Sequence, residues 1–211
     1  MERGVFEGTA LFLYGEVRIL AMDTLFDLGH LTTEEIEAGI ADVLTSPKTE
    51  GTLMMIVQRP KVNARNVVEA GTLDVEKGLV GDNWLTKGNR WRRGGDPKRQ
   101  ITVMNWRFAR LVAGSDDRVP LAGDQLFVDL DLSSENIPTG TRVAVGEAVI
   151  EVTKPPHLGC KKFVERFGID AMTFANSDFG RLHNLRGVNA RVVRGGEVRK
   201  GDRIAKLDNQ A

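Results

Sequence analysis

The chain has 211 residues, 41% of them hydrophobic and 27% charged, enough apolar mass for the core of one globular domain. Its 29 basic and 29 acidic residues cancel, which argues against a non-specific nucleic-acid or membrane-surface binder, because such proteins need a surplus of Lys and Arg. One cysteine excludes an intramolecular disulfide framework and a multi-cysteine zinc site, and no run approaches the roughly 18 apolar residues of a membrane span.

Residues 1–21 show no sustained period. Their apolar stretches, 10–14 and 19–22, are broken by Gly15, Glu16 and Arg18 and lack a small-residue cleavage site, so no signal peptide is read and a cytoplasmic location is expected. Met22 opens a more ordinary passage and is an alternative natural start. From Thr32 a helix is well signalled. Thr32 or Thr33 can cap it, Glu34, Glu35 and Glu37 load the positive end of its dipole, and Ile36, Ile40, Val43 and Leu44 form one stripe before Pro47 stops it. Residues 1–50 read as an extension with a packing helix, and 51–211 as the main domain.

After Gly51 the texture turns to short β-rich pieces. Strands are expected over 53–58, 66–73, 100–104, 125–132, 142–152, 191–193 and 203–207, with a turn at Gly146-Glu147. Short helices are expected over 107–112 and 161–167. Many short strands with few helices predict a mainly β, α+β protein built on a closed or strongly coiled barrel.

Four segments carry candidate chemistry. The first, Asn89 to Arg99, places Arg90, Arg92, Arg93, Lys98 and Arg99 around Gly94-Gly95, where flexible backbone and guanidinium groups suit an oxyanion or phosphate; a solvated loop is the plainer reading. Trp84 and Trp91 read as packing. The second, Asp129 to Pro138, is either a ligand-orienting set or a strand closed by an Asx or Ser turn. In the third, Lys154 to Phe163, a strand over 149–153 ends at two prolines and Gly159 precedes Cys160, which sits at a helix start beside Lys161 and Lys162. That setting suits a reactive thiol, a nucleophile or soft-metal ligand, with His157 as proton partner or second polar contact. A lone cysteine is otherwise a small buried hydrophobe, and His157 an ordinary loop histidine. In the fourth, Arg186 leads through a glycine into a strand carrying Asn189, which reads equally as an exposed strand edge.

In this order the pieces resemble the MOSC family, the domain named for the C-terminal part of molybdenum cofactor sulfurase. The resemblance rests on Gly78-Leu-Val-Gly-Asp82, Gly94-Gly95-Asp-Pro-Lys98, Ser134-Glu135-Asn136-Ile and Gly146-Glu-Ala-Val-Ile-Glu-Val. It continues through Pro155…Cys160, Arg186-Gly-Val-Asn-Ala-Arg and Gly196 to Asp202, and spans about 53–207. It implies a β-barrel related to the pyruvate kinase barrel domain, in a standalone protein, with a cleft ending at Cys160. That residue would carry sulfur as a persulfide or ligate molybdenum. Arg92, Arg93, Gly94, Gly95 and Lys98 would face the phosphate of a pterin cofactor, and Asn136, Arg186 and Asn189 would be polar contacts deeper in. The implied activities are sulfur transfer, with a sulfur donor such as a cysteine desulfurase as partner, or molybdenum-cofactor-dependent reduction. Pyridoxal phosphate is a label inherited from sulfurases with a separate aminotransferase-like domain and is not expected here. Many members place a histidine where this chain has Arg93, which strengthens an anion site but supplies no neutral proton shuttle. The competing expectation is a non-catalytic barrel that binds an anionic ligand or a partner protein.

Overall fold

The computed structural model describes residues 29–86 and 94–207, and Leu31–Ala211 form one compact unit. Helix α1 (Thr33–Leu44) therefore shares a unit with the strands, although the sequence grouped it with the extension. Its start is a capping box: Thr32 Oγ1 accepts from the Glu35 amide, and the Glu35 carboxylate accepts from the Thr32 amide.

Seven strands close into a barrel. Strand β1 (Glu50–Gln58) pairs with β6 (Leu126–Asp129) on one side and β11 (Arg203–Lys206) on the other. The ring continues from β11 through β7 (Arg142–Val145), β8 (Ala148–Pro156), β9 (Val188–Arg194) and β5 (Ile101–Asn105) back to β6. All ring pairings are antiparallel except β5–β6. The β5–β6 crossover contains α2 (Trp106–Ala113) and a 3-10 turn over Asp116–Ala122. Strand β2 (Asn66–Val68) adds to β1 outside the ring, and β10 (Gly196–Arg199), β3 (Ala70–Asp74) and β4 (Gly78–Leu79) form a small second sheet.

Alternation along the strands sorts side chains into two cores. Leu53 and Ile56, Ile101 and Val103, and Leu126 and Val128 fill one cluster with residues of β7, β8, β9 and β11. Their neighbours Val57, Met104 and Phe127 meet α1, α2 and α3 (Lys161–Asn176) through Ile36, Phe108, Phe163 and Phe167. Strand β5 is consequently buried at every position, helices covering one face and barrel interior the other.

Several expected elements change length. The single strand over 66–73 is two, β2 and β3, in different sheets. Strand β8 runs through Pro155 and Pro156 rather than stopping before them. A register shift between Val152 and Pro156 interrupts the ladder where proline nitrogens have no hydrogen to donate. Helix α3 runs to Asn176, broken at Gly168, whose φ of 88° is accessible to glycine and costly for other residues. Helix α4 (Asp178–Leu182) and β10 were not expected. No helix among the described residues is long and apolar enough to cross a membrane.

Candidate functional site

At one end of the barrel a cavity of about 360 Å³ opens between five pieces of chain: the loop after β1, the loop after β4, the Gly94-Gly95 turn, the segment before β6, and the junction of β8 with α3. Four of these, together with the approach to β9, deliver charged or polar side chains, while the segment before β6 contributes Ala122 and Gly123. The loop after β1 brings Arg59, Lys61 and Arg65, the turn after Gly95 brings Arg99, α3 brings Lys162 and Arg166, and the approach to β9 brings Arg186. Among the described residues, these seven cations share the wall with one carboxylate, Asp96. The zero net charge of the chain therefore hides a concentrated positive field, the electrostatic condition for holding an anion.

Two buried carboxylates behind the wall aim the central arginines. Asp82, with a fully buried side chain, receives Nε and Nη2 of Arg59 at 2.7 and 3.0 Å, the Arg59 amide at 3.0 Å and the Trp84 amide at 2.9 Å. Arg59 Nη1 donates onward to the Gly123 carbonyl at 2.8 Å. Asp124, also fully buried, receives Arg186 Nη1 on Oδ2 at 2.6 Å, while Arg186 Nη2 donates to the Ala122 carbonyl at 3.0 Å. The Arg186 guanidinium lies 4.9 Å from the centre of the Phe163 ring. Arg186 Nε is buried with no hydrogen-bond partner. Burial pushes the Asp124 carboxyl up, against the opposing pull of Arg186.

His157 sits in the wall between β8 and α3 with its side chain 15% exposed, and its Nδ1 lies 3.3 Å from Asp124 Oδ1. Burial first, then Arg186, Arg59 and Arg99, hold its pKa well below the ordinary imidazole value, so the ring is neutral at pH 7. Arg65 is likewise pushed down by burial and by Arg166 and Arg59, the mark of cations crowded around one space.

Cys160 caps α3, its carbonyl accepting from the amides of Phe163 and Val164, and its thiol is free and exposed on the cavity wall. The buried-hydrophobe reading of this cysteine is thereby corrected, because the bend that follows β8 lifts it out of the core. Gly159 allows the bend. A Cβ there would approach Met172 Cγ to 2.9 Å, and Asn176 bonds both the amide and the carbonyl of Gly159.

The other expected positions divide. Gly94, Gly95, Arg186 and Asn189 line the cavity with Cys160 and His157. Gly94 has φ 79°, and a Cβ on Gly95 would stand 2.3 Å from the Trp84 ring, so the pair shapes the loop by close approach to an indole. Asn189 is buried, its Nδ2 donating to the Pro155 carbonyl at 3.0 Å. Lys98 does not line the cavity: its amide caps back to Asp96 and its carbonyl accepts from Thr153. Asn136 is also elsewhere, because its amide ties the Lys48 and Asp131 carbonyls in a turn. Arg92 and Arg93 lie outside the described residues, as does Trp91.

Sequence reasoning missed Arg59, Arg65, Asp82, Asp124 and Arg166 as site residues. Asp82 and Asp124 each follow a glycine of positive φ, a turn signal visible in the sequence. Arg65 and Arg166 carried no local signal, since they meet only through folding.

The sequence model of the MOSC domain matches residues 92–205, more than half of the chain. No curated protein matches. Among solved structures, the YuaD protein from Bacillus subtilis superposes with a TM-score of 0.56 at 19% identity, over 74% of this chain and 94% of that one. YiiM from Geobacillus stearothermophilus gives 0.51 at 14% identity, over 75% of each. At these identities the likeness concerns the fold.

Proposed function

The chain belongs to the MOSC domain family, and we propose that its cavity receives an anionic, phosphate-bearing pterin cofactor of molybdenum, with the sulfur of Cys160 as the protein's ligand to the metal. The observation that carries this reading is a free, exposed thiol on the wall of a cavity lined by seven cations.

The residues present fit such a group. Arg59 and Arg186 are pre-oriented by buried carboxylates, so they can hold an anion without first losing rotamer freedom. Lys61, Arg65, Lys162 and Arg166 add charge to the same wall. No three His, Cys, Asp or Glu side chains cluster as a metal site among the described residues, so a metal held through Cys160 must arrive with its remaining ligands already in place. A thiolate is the right donor for a soft metal centre. When bound, the cofactor would supply the two-electron redox chemistry of a reductase. The chain itself anchors the anion, presents sulfur, and offers a neutral imidazole, His157, as a hydrogen-bonding group on the same wall. A cytoplasmic setting, where a lone thiol stays reduced, suits this role.

A second reading is sulfur carriage. The exposure of Cys160 favours it, because a persulfide must be reachable by a donor protein such as a cysteine desulfurase.

Metal analysis after expression in a host that makes the cofactor separates these readings. Molybdenum near one equivalent in the wild type and its absence in Cys160→Ala is the expected result. No molybdenum in either protein, with an intact mass one sulfur atom heavier under non-reducing conditions, would replace it by sulfur carriage. Neither signal would leave a plain anion-binding module.

A further inference from the structure

Three buried polar atoms at the floor of the cavity lack hydrogen-bond partners: Arg186 Nε, Asp124 Oδ1 and His157 Nδ1. The last two are 3.3 Å apart, not yet aligned as a hydrogen bond, and each is the other's polar neighbour. Asp124 Oδ2 is already engaged by Arg186 at 2.6 Å, which leaves Oδ1 as an acceptor facing the imidazole. An ionised carboxylate only accepts, so the approach is favourable when Nδ1 carries a hydrogen and repulsive when it presents a lone pair. We propose that Asp124 is the positioning residue of this cavity: through Oδ2 it holds Arg186, and through Oδ1 it fixes the hydrogen of His157 on Nδ1, leaving Nε2 as the acceptor.

This deepens the cofactor-binding reading and rests on it for its purpose. Burial, together with the charges of Arg186, Arg59 and Arg99, keeps the imidazole from taking a second proton. His157 is therefore not an eighth anchor for an anion. It is a hydrogen-bond acceptor set among cations, and it selects an occupant that is anionic yet turns an N–H or O–H group toward Nε2. An occupant bearing only oxyanions on that side would meet a lone pair and a desolvated ring. The arrangement parallels the general rule that a carboxylate on one imidazole nitrogen sets what the other can do.

The test reads the tautomer directly in the protein without added ligand, so a failure to bind molybdenum leaves it standing. Long-range 1H–15N correlation spectra of protein labelled with 15N-histidine at pH 7 show three imidazoles, and His157→Gln identifies one set. The expected pattern for His157 is a neutral ring with hydrogen on Nδ1 and a bare Nε2. Asp124→Asn turns an amide donor toward the ring and should move the hydrogen to Nε2. Arg186→Lys keeps the Asp124 carboxylate and should leave the hydrogen on Nδ1. A wild-type ring that is charged at pH 7, or that carries its hydrogen on Nε2, would overturn the proposal. So would an unchanged tautomer in a folded Asp124→Asn protein, or a switched one in Arg186→Lys. If Asp124→Asn does not fold, the wild-type and Arg186→Lys spectra decide.

Discussion

Two arginine–carboxylate pairs stand behind the same cavity, and they are finished to different degrees. At Asp82 the carboxylate takes four donors, two from the Arg59 side chain and two from backbone amides, and Arg59 spends its remaining nitrogen on a carbonyl. At Asp124 one oxygen is paired with Arg186 and the other is not, and Arg186 keeps an unpaired Nε. Burial without partners is costly, and a fold selected only for stability would complete the second pair as it completes the first. The first pair is a staple that joins three loops. The second leaves Asp124 Oδ1 and Arg186 Nε, both buried, without hydrogen-bond partners beside the cavity.

The comparison can be broken most directly at the staple. Asp82→Ala leaves the Arg59 charge and two backbone amides without their acceptor, and should lower the unfolding free energy by about 3–5 kcal/mol in urea titration. A loss below about 1 kcal/mol would show that water replaces the carboxylate and that the staple is not structural. At the floor the opposite result is expected from an apolar replacement. The double variant Asp124→Leu with Arg186→Met should be as stable as the wild type or more stable by about 1–4 kcal/mol, because a buried ion pair rarely outperforms well-packed apolar groups. The same protein should lose measurable inorganic phosphate binding by calorimetry. A double variant destabilised as much as Asp82→Ala would erase the distinction between the pairs.

The pH dependence sharpens it further. His157 has a folded pKa well below the ordinary 6.5, so between the two values the unfolded chain holds a proton that the native state does not. Stability then rises with pH through this window and falls on acidification below about 6.5, by up to about 1.4 kcal/mol per pH unit. Asp124, raised by burial, works in the other direction at pH values between 3.8 and its folded pKa. His157→Gln should therefore flatten the slope between about pH 5 and 6.5 in thermal unfolding; an unchanged slope would mean that the imidazole is already hydrated. The smallest effect is expected at the exposed pair Arg110–Asp116, 2.6 Å long with both side chains more than half exposed. Arg110→Ala should cost at most about 1 kcal/mol, which calibrates what solvent does to the same chemistry outside the cavity.

The same difference, local against distant contacts, separates what the sequence alone reveals from what folding adds. The barrel was legible because alternation and β-branched runs are local: Leu53 to Gln58 and Arg142 to Val152 announce strands from their own residues. Helix α1 was legible for the same reason, its cap, acidic first turn and stripe lying within a dozen positions. Cys160, His157, Gly94 and Gly95 stood out because their neighbours are unusual, and the cavity does gather them. Lys98 and Asn136 looked alike in the sequence but serve turns, since a side chain's direction depends on backbone angles that composition does not reveal.

By itself the sequence determined the class of fold, most of its strands, and the polar, turn-like setting of Cys160. Only the tertiary structure decided that Arg59, Arg65, Arg166 and Arg186, separated by up to 127 positions, surround one space. It alone set Asp82 and Asp124 behind them, one satisfied and one not. The physical reason is range. Strand and helix formation depend on neighbours a few residues away, whereas a charged cavity exists only when barrel closure brings distant loops to the same end.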